Sequence, residues 1–182
     1  VGVWWAPDRI VADTPWRHRR AEGGGITLDL GVHFFDQMRV VAGRPASITG
    51  QTKVIEPTRS RRSESGDVVE QVECDADDTA FATIEFTGGA TAHLLASWAG
   101  HARPMTTGTG SMYYGTAGCI DGEIVRFDDQ STDNLIEIYR REANADELAR
   151  RFPLGIDDWF ALAQLDWLEA IRQNASPEAS AH

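Results

Sequence analysis

Many short candidate β-strands, separated by turn residues and bracketed by two apolar helical segments, limit the folds open to this 182-residue chain. Strands that follow one another through tight turns pair in antiparallel sheets. One such turn is predicted at Thr87-Gly88-Gly89. The sequence therefore predicts a single domain over residues 1–182 with an α+β fold: an open, mainly antiparallel sheet of at least six strands, with helices packed on one face.

The spacing of apolar residues gives the predicted elements. Helices are expected at residues 27–42, with Thr27 as the N-cap and Gly43 as the stop, and at residues 157–173. The polar stretch 56–67 is expected to be a loop. The remaining predicted elements are a short helix at 143–151 and strands at 1–5, 47–55, 68–72, 79–86, 91–98, 111–114, 119–121, 123–127 and 135–139.

Both faces of the predicted sheet are expected to be buried against other surfaces. The two long helices are expected on one face, and the last of them gathers its apolar residues on one side. The other face is expected to carry apolar and aromatic side chains and to be buried by a second copy of the chain. The apolar side of the last helix consists of Phe160, Ala163, Trp167, Ala170 and Ile171.

Charge and composition exclude several function classes. The formal net charge of -11 argues against nucleic acid and anionic membranes as partners. No apolar run approaches the roughly 18 residues of a membrane span, and no signal-peptide pattern is visible. Cys74 and Cys119 match no metal or disulfide spacing. We therefore expect a cytoplasmic protein, in which acidic clusters such as Asp75, Asp77 and Asp78 are solvated surface.

The predicted helix at residues 27–42 carries a narrow polar stripe on an otherwise apolar circumference. At about 100° per residue, Asp29, His33 and Asp36 point into one sector. A helix that is apolar over most of its surface is usually buried. The stripe is therefore expected to face either a cleft or buried partners.

Three interpretations of this stripe stay open. Two carboxylates beside an imidazole could fix its tautomer and suit it to general-base catalysis. His33 and Asp36 could instead be a structural pair that braces the helix. A divalent metal ion held by Asp29, His33 and Asp36 is a third interpretation, although the sequence shows no fourth ligand.

Residues 23–36 read Gly-Gly-Gly-Ile-Thr-Leu-Asp-Leu-Gly-Val-His-Phe-Phe-Asp. This block resembles the Gly-Gly-x-Leu-x-Asp-x-Gly-x-His-x-x-Asp segment of the Gfo/Idh/MocA oxidoreductases, the relatives of glucose–fructose oxidoreductase and inositol dehydrogenase. Weaker similarities follow the same order along the chain. They are Trp16-Arg17 before the block and the segments 86–90, 114–118 and 159–171 after it.

The resemblance implies a C-terminal substrate domain of an NAD- or NADP-dependent dehydrogenase acting on a sugar, inositol or related polyol. It implies that Asp29 and His33 line the substrate pocket under the nicotinamide, with His33 as acid/base and Asp29 as a binding or orienting group. Trp16 and Arg17 are expected beside them as substrate-binding residues, and Asp36 as a helix-packing residue. It also implies a homo-oligomer formed through the exposed sheet face.

The nucleotide-binding features of that family are missing from this sequence. Residues 23–25 are the densest glycine cluster, but they follow no strand of a βαβ unit and are expected to be a flexible entry. The family's Glu-Lys-Pro segment is also missing, and Lys53, the only lysine, stands in another context. We expect an N-terminal Rossmann domain in cis or in trans, and no NAD or NADP bound to this chain alone.

Three functions fit these observations. The first is the substrate domain of an NAD(P)-dependent oxidoreductase that acts by hydride transfer. The second is a stand-alone, non-catalytic binding or oligomerisation subunit without a nucleotide site. The third is a cofactor-independent lyase or hydrolase that uses Asp29 and His33.

Overall fold

The elements of the fold follow the predicted order of strand, helix and then many strands. The computed structural model describes residues 2–4, 8–101 and 111–177. The chain divides into two compact units, Val1–Gly122 and Glu123–His182, so a single domain over residues 1–182 stays a prediction. The first unit contains β1 (Gly2–Trp4), α1 (Val32–Ala42), β2 (Pro45–Lys53), β3 (Thr58–Arg62), β4 (Val68–Glu73), β5 (Thr79–Phe86), β6 (Thr91–Ser97), β7 (Met112–Tyr114) and β8 (Gly118–Asp121).

The main sheet of the first unit has the strand order β1-β6-β5-β2. Strands β2, β5 and β6 pair antiparallel, and β1 joins the edge of β6 in parallel. Gly89 closes the predicted turn between β5 and β6, where its φ of 87° suits glycine. The predicted α+β class with an open, mainly antiparallel sheet is confirmed. This sheet has four strands rather than at least six, because β3 and β4 form a separate two-stranded sheet.

One face of this sheet holds the core of the first unit. Successive strand residues point to opposite faces, and Ile84, Phe86 and Leu94 point toward the helix. There they pack with Met38 of α1 and with Ile26, which precedes it. The prediction that the helix at 27–42 covers one sheet face is therefore confirmed.

The opposite face of the sheet is mixed, with Phe81 of β5 opposite Leu95 of β6 among polar residues. Thr83 on β5 hydrogen-bonds His93 on β6 at 3.1 Å, and Thr91 donates to Glu85 at 2.9 Å. Strand β2, which continues this face, is exposed along its whole length. The prediction of an apolar and aromatic face holds only in part, because the other outward residues of β5 and β6 are threonine, serine, glutamate and histidine. A second copy on this face stays a prediction.

The second unit contains β9 (Ile124–Phe127), β10 (Thr132–Asn134), α2 (Leu135–Glu142), α3 (Ala145–Arg151) and α4 (Trp159–Gln173). The predicted strand at 135–139 is wrong, since these residues begin α2. The Asn134 side chain accepts hydrogen bonds from the backbone N–H groups of Ile136 (2.9 Å) and Glu137 (3.2 Å). An N-cap of this kind stabilises a helix start, and it outweighs the alternating Leu-Ile-Glu-Ile pattern that is typical of a strand.

The predicted loop at 56–67 is also wrong, because it contains β3. The residues that β3 buries are Arg59 and Ser60 rather than apolar side chains, so its pattern does not resemble a strand. The Arg59 guanidinium is fully buried and lies 3.3 Å from the carboxylate of Asp78, which is 2% exposed. It also donates to the carbonyl oxygens of Trp98 (3.1 Å) and Arg9 (3.2 Å).

The Asp78 carboxylate organises the turn that leads into β3. It accepts hydrogen bonds from the N–H groups of Ile55 (2.9 Å) and Glu56 (2.8 Å) and from the hydroxyl of Thr79 (3.0 Å). The expectation that Asp75, Asp77 and Asp78 are solvated surface is therefore wrong for Asp78. A carboxylate can be buried because an opposite charge and several donors compensate its lost hydration.

We expect Asp78→Ala to lower the free energy of unfolding by about 3–5 kcal/mol, since it leaves the Arg59 charge buried without its carboxylate. Urea unfolding at neutral pH measures this. Asp36→Ala is the matched control, because Asp36 pairs with Arg39 on the exposed side of α1 and exposed pairs contribute about 0–1 kcal/mol. Equal costs for the two variants would contradict the assigned role of Asp78.

Candidate functional site

The polar stripe lies on a helix whose first turn differs from an ordinary α-helix. Residues Thr27–Gly31 form a π turn that continues directly into α1. An α-helix has 3.6 residues per turn, so two side chains four residues apart are separated by slightly more than one full turn. A π turn takes more residues per turn, which brings Asp29 and His33 closer to the same direction. π turns of this kind are frequent at functional sites.

Asp77, rather than Thr27, caps this helix. One carboxylate oxygen of Asp77 accepts hydrogen bonds from the Thr27 N–H (3.0 Å) and the Thr27 hydroxyl (2.6 Å). The Ile26 N–H donates to the carbonyl oxygen of Asp77 at 2.7 Å. The prediction of Thr27 as the N-cap is wrong, because its hydroxyl donates to Asp77 instead of accepting from its own helix.

Two of the three glycines before the helix are packed, so the predicted flexible entry is wrong for Gly24 and Gly25. A Cβ atom on Gly24 would lie 2.5 Å from the carbonyl oxygen of Trp16. Gly25 has a φ of 118°, and a side chain there would collide with Asp77. The two glycines therefore let the Trp16-Arg17 segment and Asp77 approach the start of the helix.

Three of the predicted site residues come together at this point. The Arg17 Nε donates to Asp29 Oδ2 at 2.7 Å, with the two side chains 23% and 18% exposed. The Arg17 guanidinium also lies over the Trp16 ring, 4.8 Å from its centroid, and hydrogen-bonds the Thr14 hydroxyl. Trp16 is 39% exposed. Arg17 thus holds one oxygen of the Asp29 carboxylate.

His33 is exposed, and within the described part of the chain its ring makes no hydrogen bond. The expected pairing of the imidazole with two carboxylates is not found. Asp29 pairs with Arg17, and Asp36 pairs with Arg39 at 2.8 Å. Arginines take both carboxylates because a guanidinium is always charged and can donate through several N–H groups.

The metal interpretation of the stripe gains no support. Among residues 2–4, 8–101 and 111–177, no group of three or more His, Cys, Asp or Glu side chains is arranged to hold a metal ion. The carboxylates that would have been ligands, Asp29 and Asp36, are held by arginines.

Apolar side chains flank the Asp29–His33 face. Leu28 is 59% exposed and Val32 is 48% exposed. Val40 and Val41 are exposed further along α1. The expectation that this helix is mostly buried is therefore wrong for the chain by itself. An apolar cavity of about 250 Å³ opens between α1 and the sheet, with Asp36 in its lining, but neither Asp29 nor His33 lines it.

His18 is a buried residue that sequence reasoning missed. Its Nε2 accepts a hydrogen bond from the Val11 N–H at 3.0 Å, so its neutral form is required. Burial, followed by the nearby Arg59 charge, lowers the pKa of His18 to about 4. Its sequence neighbours, arginines at 17, 19 and 20, give no sign of its burial.

None of the described helices is both long and apolar enough to cross a membrane.

Comparison with known proteins identifies one matching family and several solved structures that share the fold. The family described as GFO/IDH/MocA C-terminal domain matches residues 1–121. No curated protein matches the chain.

Solved structures share the fold at low identity. Levoglucosan dehydrogenase in complex with NADH and L-sorbose has a TM-score of 0.62 and 18% identity, over 98% of this chain and 50% of that one. An oxidoreductase domain protein from Kribbella flavida has a TM-score of 0.60 and 20% identity, over 97% and 51%. The super-repressor mutant of Gal80p from Saccharomyces cerevisiae has a TM-score of 0.56 and 13% identity, over 73% and 40%. The chain thus spans about half the length of the first two structures and less of the third.

Acidification should destabilise the fold through His18. The unfolded chain protonates this residue below pH 6.5, whereas the folded state resists protonation down to about pH 4. The free energy of unfolding should therefore fall across this window by up to about 3 kcal/mol more in the wild type than in His18→Gln. Urea unfolding at several pH values measures it, with His93→Gln as an exposed-histidine control. Parallel pH profiles for wild type and His18→Gln would contradict the prediction.

Gly24→Ala should cost about 1–3 kcal/mol of stability, because the added methyl group collides with the backbone at Trp16 and Arg17. Gly88→Ala is the matched control. The space around Gly88 is open, and we expect a change within about 0.5 kcal/mol. Thermal or urea unfolding compares them, and equal stabilities would show that the close approach at Gly24 is dispensable.

Proposed function

Because this chain belongs to the GFO/IDH/MocA family, we propose that it is the substrate-binding part of an NAD(P)-dependent oxidoreductase acting on a sugar, inositol or related polyol. The observation that carries this proposal is the Asp29–His33 face of the capped helix. It presents an accessible imidazole beside a carboxylate that is fixed by Arg17.

His33 is proposed as the proton-transfer residue. Oxidation of an alcohol to a carbonyl removes a hydride from carbon and a proton from the hydroxyl oxygen. The imidazole of His33 is exposed, and an imidazole nitrogen within reach of a substrate hydroxyl can accept that proton. The nicotinamide, when bound in the complete enzyme, accepts the hydride. His33 is free for this task because Asp29 and Asp36 are occupied by arginines.

Asp29 is proposed to bind and orient the substrate. Its Oδ2 accepts from Arg17, while Oδ1 accepts no hydrogen bond from the described residues. An ionised carboxylate only accepts hydrogen bonds, so Oδ1 suits a substrate hydroxyl. This supports a polyol or sugar as the substrate class.

Trp16 and Arg17 complete the proposed substrate site in different ways. The charge of Arg17 is engaged by Asp29, so Arg17 acts mainly by positioning that carboxylate. Trp16 presents a partly exposed ring beside it. An aromatic ring with one polar neighbour offers an apolar platform for the carbon face of a sugar.

The glycine cluster at residues 23–25 lacks the strand–turn–helix setting of a dinucleotide site. Gly24 and Gly25 approach backbone carbonyls and Asp77 rather than open space, and residues 20–22 before them form a 3₁₀ turn instead of a strand. We propose that a Rossmann domain, in cis or in trans, holds NAD or NADP. The exposed side chains of Leu28 and Val32 support this proposal, since they flank the site and such a domain would bury them.

A non-catalytic binding or oligomerisation subunit is the alternative function. Two observations favour it: the fold also occurs in a super-repressor mutant of Gal80p, and His33 has no carboxylate partner in the described residues. The two functions differ in whether His33 is needed for turnover.

We expect His33→Ala to lower turnover by about 10²- to 10⁴-fold, the usual contribution of a positioned acid/base. The assay uses the chain with its nucleotide-binding partner, a panel of polyols and sugars, and NAD or NADP, and follows reduction of the nicotinamide. Folding should change little, because His33 is exposed.

His93→Ala is the control, since His93 is an exposed histidine on the outer sheet face. It should leave turnover unchanged. Full turnover in His33→Ala would reject the catalytic role. Absence of turnover with every substrate in the wild type would favour the non-catalytic alternative.

A further inference from the structure

The segment from Val11 to Thr14, called here the Thr14 turn, has a backbone conformation that non-glycine residues rarely adopt. Ala12 has a φ of 48° and Asp13 has a φ of 55°, so two consecutive residues with side chains lie in the left-handed region. This conformation costs free energy and persists only where surrounding contacts impose it. Because such strain clusters at functional sites, the contacts of the turn indicate what it holds in place.

Two residues outside the Thr14 turn impose its conformation. The Arg61 guanidinium, on β3, donates to the carboxylate of Asp13 at 3.0 Å and to its carbonyl oxygen at 3.2 Å. The buried ring of His18 accepts the Val11 N–H at 3.0 Å. All of these residues belong to the first unit. The turn is therefore attached both to a strand and to the interior of that unit.

The conformation of the turn determines what the Thr14 hydroxyl can do. The hydroxyl donates to the carbonyl oxygen of Val11 at 2.8 Å. A hydroxyl has one proton and two lone pairs, so the oxygen of Thr14 can then only accept further hydrogen bonds. It accepts one from Nη1 of Arg17, whose guanidinium can only donate. The turn thus presents a hydrogen-bond acceptor to Arg17.

The Thr14 hydroxyl is one of three contacts that fix the Arg17 guanidinium. Nη1 donates to Thr14, and Nε donates to Asp29 Oδ2 at 2.7 Å. The guanidinium also lies 4.8 Å from the centroid of the Trp16 ring. A guanidinium is planar and rigid, so contacts at two of its nitrogens and on its flat face fix both its position and its rotation.

We propose that Thr14 is a positioning residue that acts through Arg17 to orient the Asp29 carboxylate. That the oriented carboxylate then receives a substrate hydroxyl rests on the function proposed above. A binding group that is oriented in advance loses less entropy when the substrate arrives. The loss of the Thr14 hydroxyl should therefore weaken substrate binding, whereas the proton transfer assigned to His33 should change little.

Nuclear magnetic resonance of the chain without substrate tests the first step of this proposal. The measurement follows the exchange of the Arg17 Nε proton with water at one pH, and Arg17→Lys identifies its signal. Thr14→Val keeps the shape of the side chain and removes the hydroxyl. We expect it to speed this exchange about two- to tenfold, the factor that corresponds to one net hydrogen bond. Thr14→Ser, which retains a hydroxyl, should keep the wild-type rate.

Steady-state kinetics of the chain with its nucleotide-binding partner test the second step. Thr14→Val should raise KM about two- to tenfold and leave kcat unchanged, because it removes binding that the ground state and the transition state share. Thr58→Val is the matched control. The Thr58 hydroxyl donates to Glu73 at 3.3 Å on the exposed surface of β3 and β4, so its loss should change neither constant. Circular dichroism checks that each variant is folded.

The two measurements separate this proposal from the proposed function. An unchanged exchange rate in Thr14→Val would overturn the proposal, whatever the activity of the enzyme. Faster exchange with an unchanged KM, or a lower kcat at unchanged KM, would also overturn it. A Thr14→Ser variant that behaves like Thr14→Val would assign the effect to the methyl group instead. If the wild type turns over no substrate, the proposed function fails, and the exchange rates still decide whether Thr14 holds Arg17.

Discussion

The acidic segment between β4 and β5 is the constraint on which the first unit depends. Asp78 neutralises the buried Arg59 and accepts the N–H groups of the turn between β2 and β3. Its neighbour Asp77 holds the first residues of the helix that carries His33. Because the two carboxylates are adjacent in sequence, the sheet strands and the helix start are fixed to one another through a single short segment.

This arrangement determines what the site can do. The cap at Asp77 fixes the start of the helix, and the glycines beside it admit the Trp16-Arg17 segment. Arg17 then orients one oxygen of Asp29, whereas His33 is left accessible. Positioned groups lower a reaction barrier only when they are held before the substrate binds. In the proposed site, Arg17 holds one oxygen of the Asp29 carboxylate, and the His33 side chain is exposed.

Sequence reasoning succeeded where apolar periodicity decides the structure. Strands β5 and β6, their turn and the helix before β2 follow from such patterns, as does the block containing Asp29 and His33. It failed where polar groups decide the structure. Strand β3 buries Arg59 and Ser60 in place of apolar side chains, and the start of α2 depends on the Asn134 cap. The burial of Asp78 cannot be predicted until its partner is known. A buried ion pair joins residues distant in sequence, so neither partner is marked by its neighbours.

The wrong prediction that the helix at residues 27–42 is mostly buried has a physical cause. Apolar residues at helical spacing specify that a face will be covered, but they do not specify by what. In α1 the sheet covers Met38 and leaves Leu28 and Val32 exposed. Exposed apolar surface of this kind is costly in water. The apolar spacing of this helix therefore marks Leu28 and Val32 as surface that a further contact would bury, without identifying the surface that makes the contact.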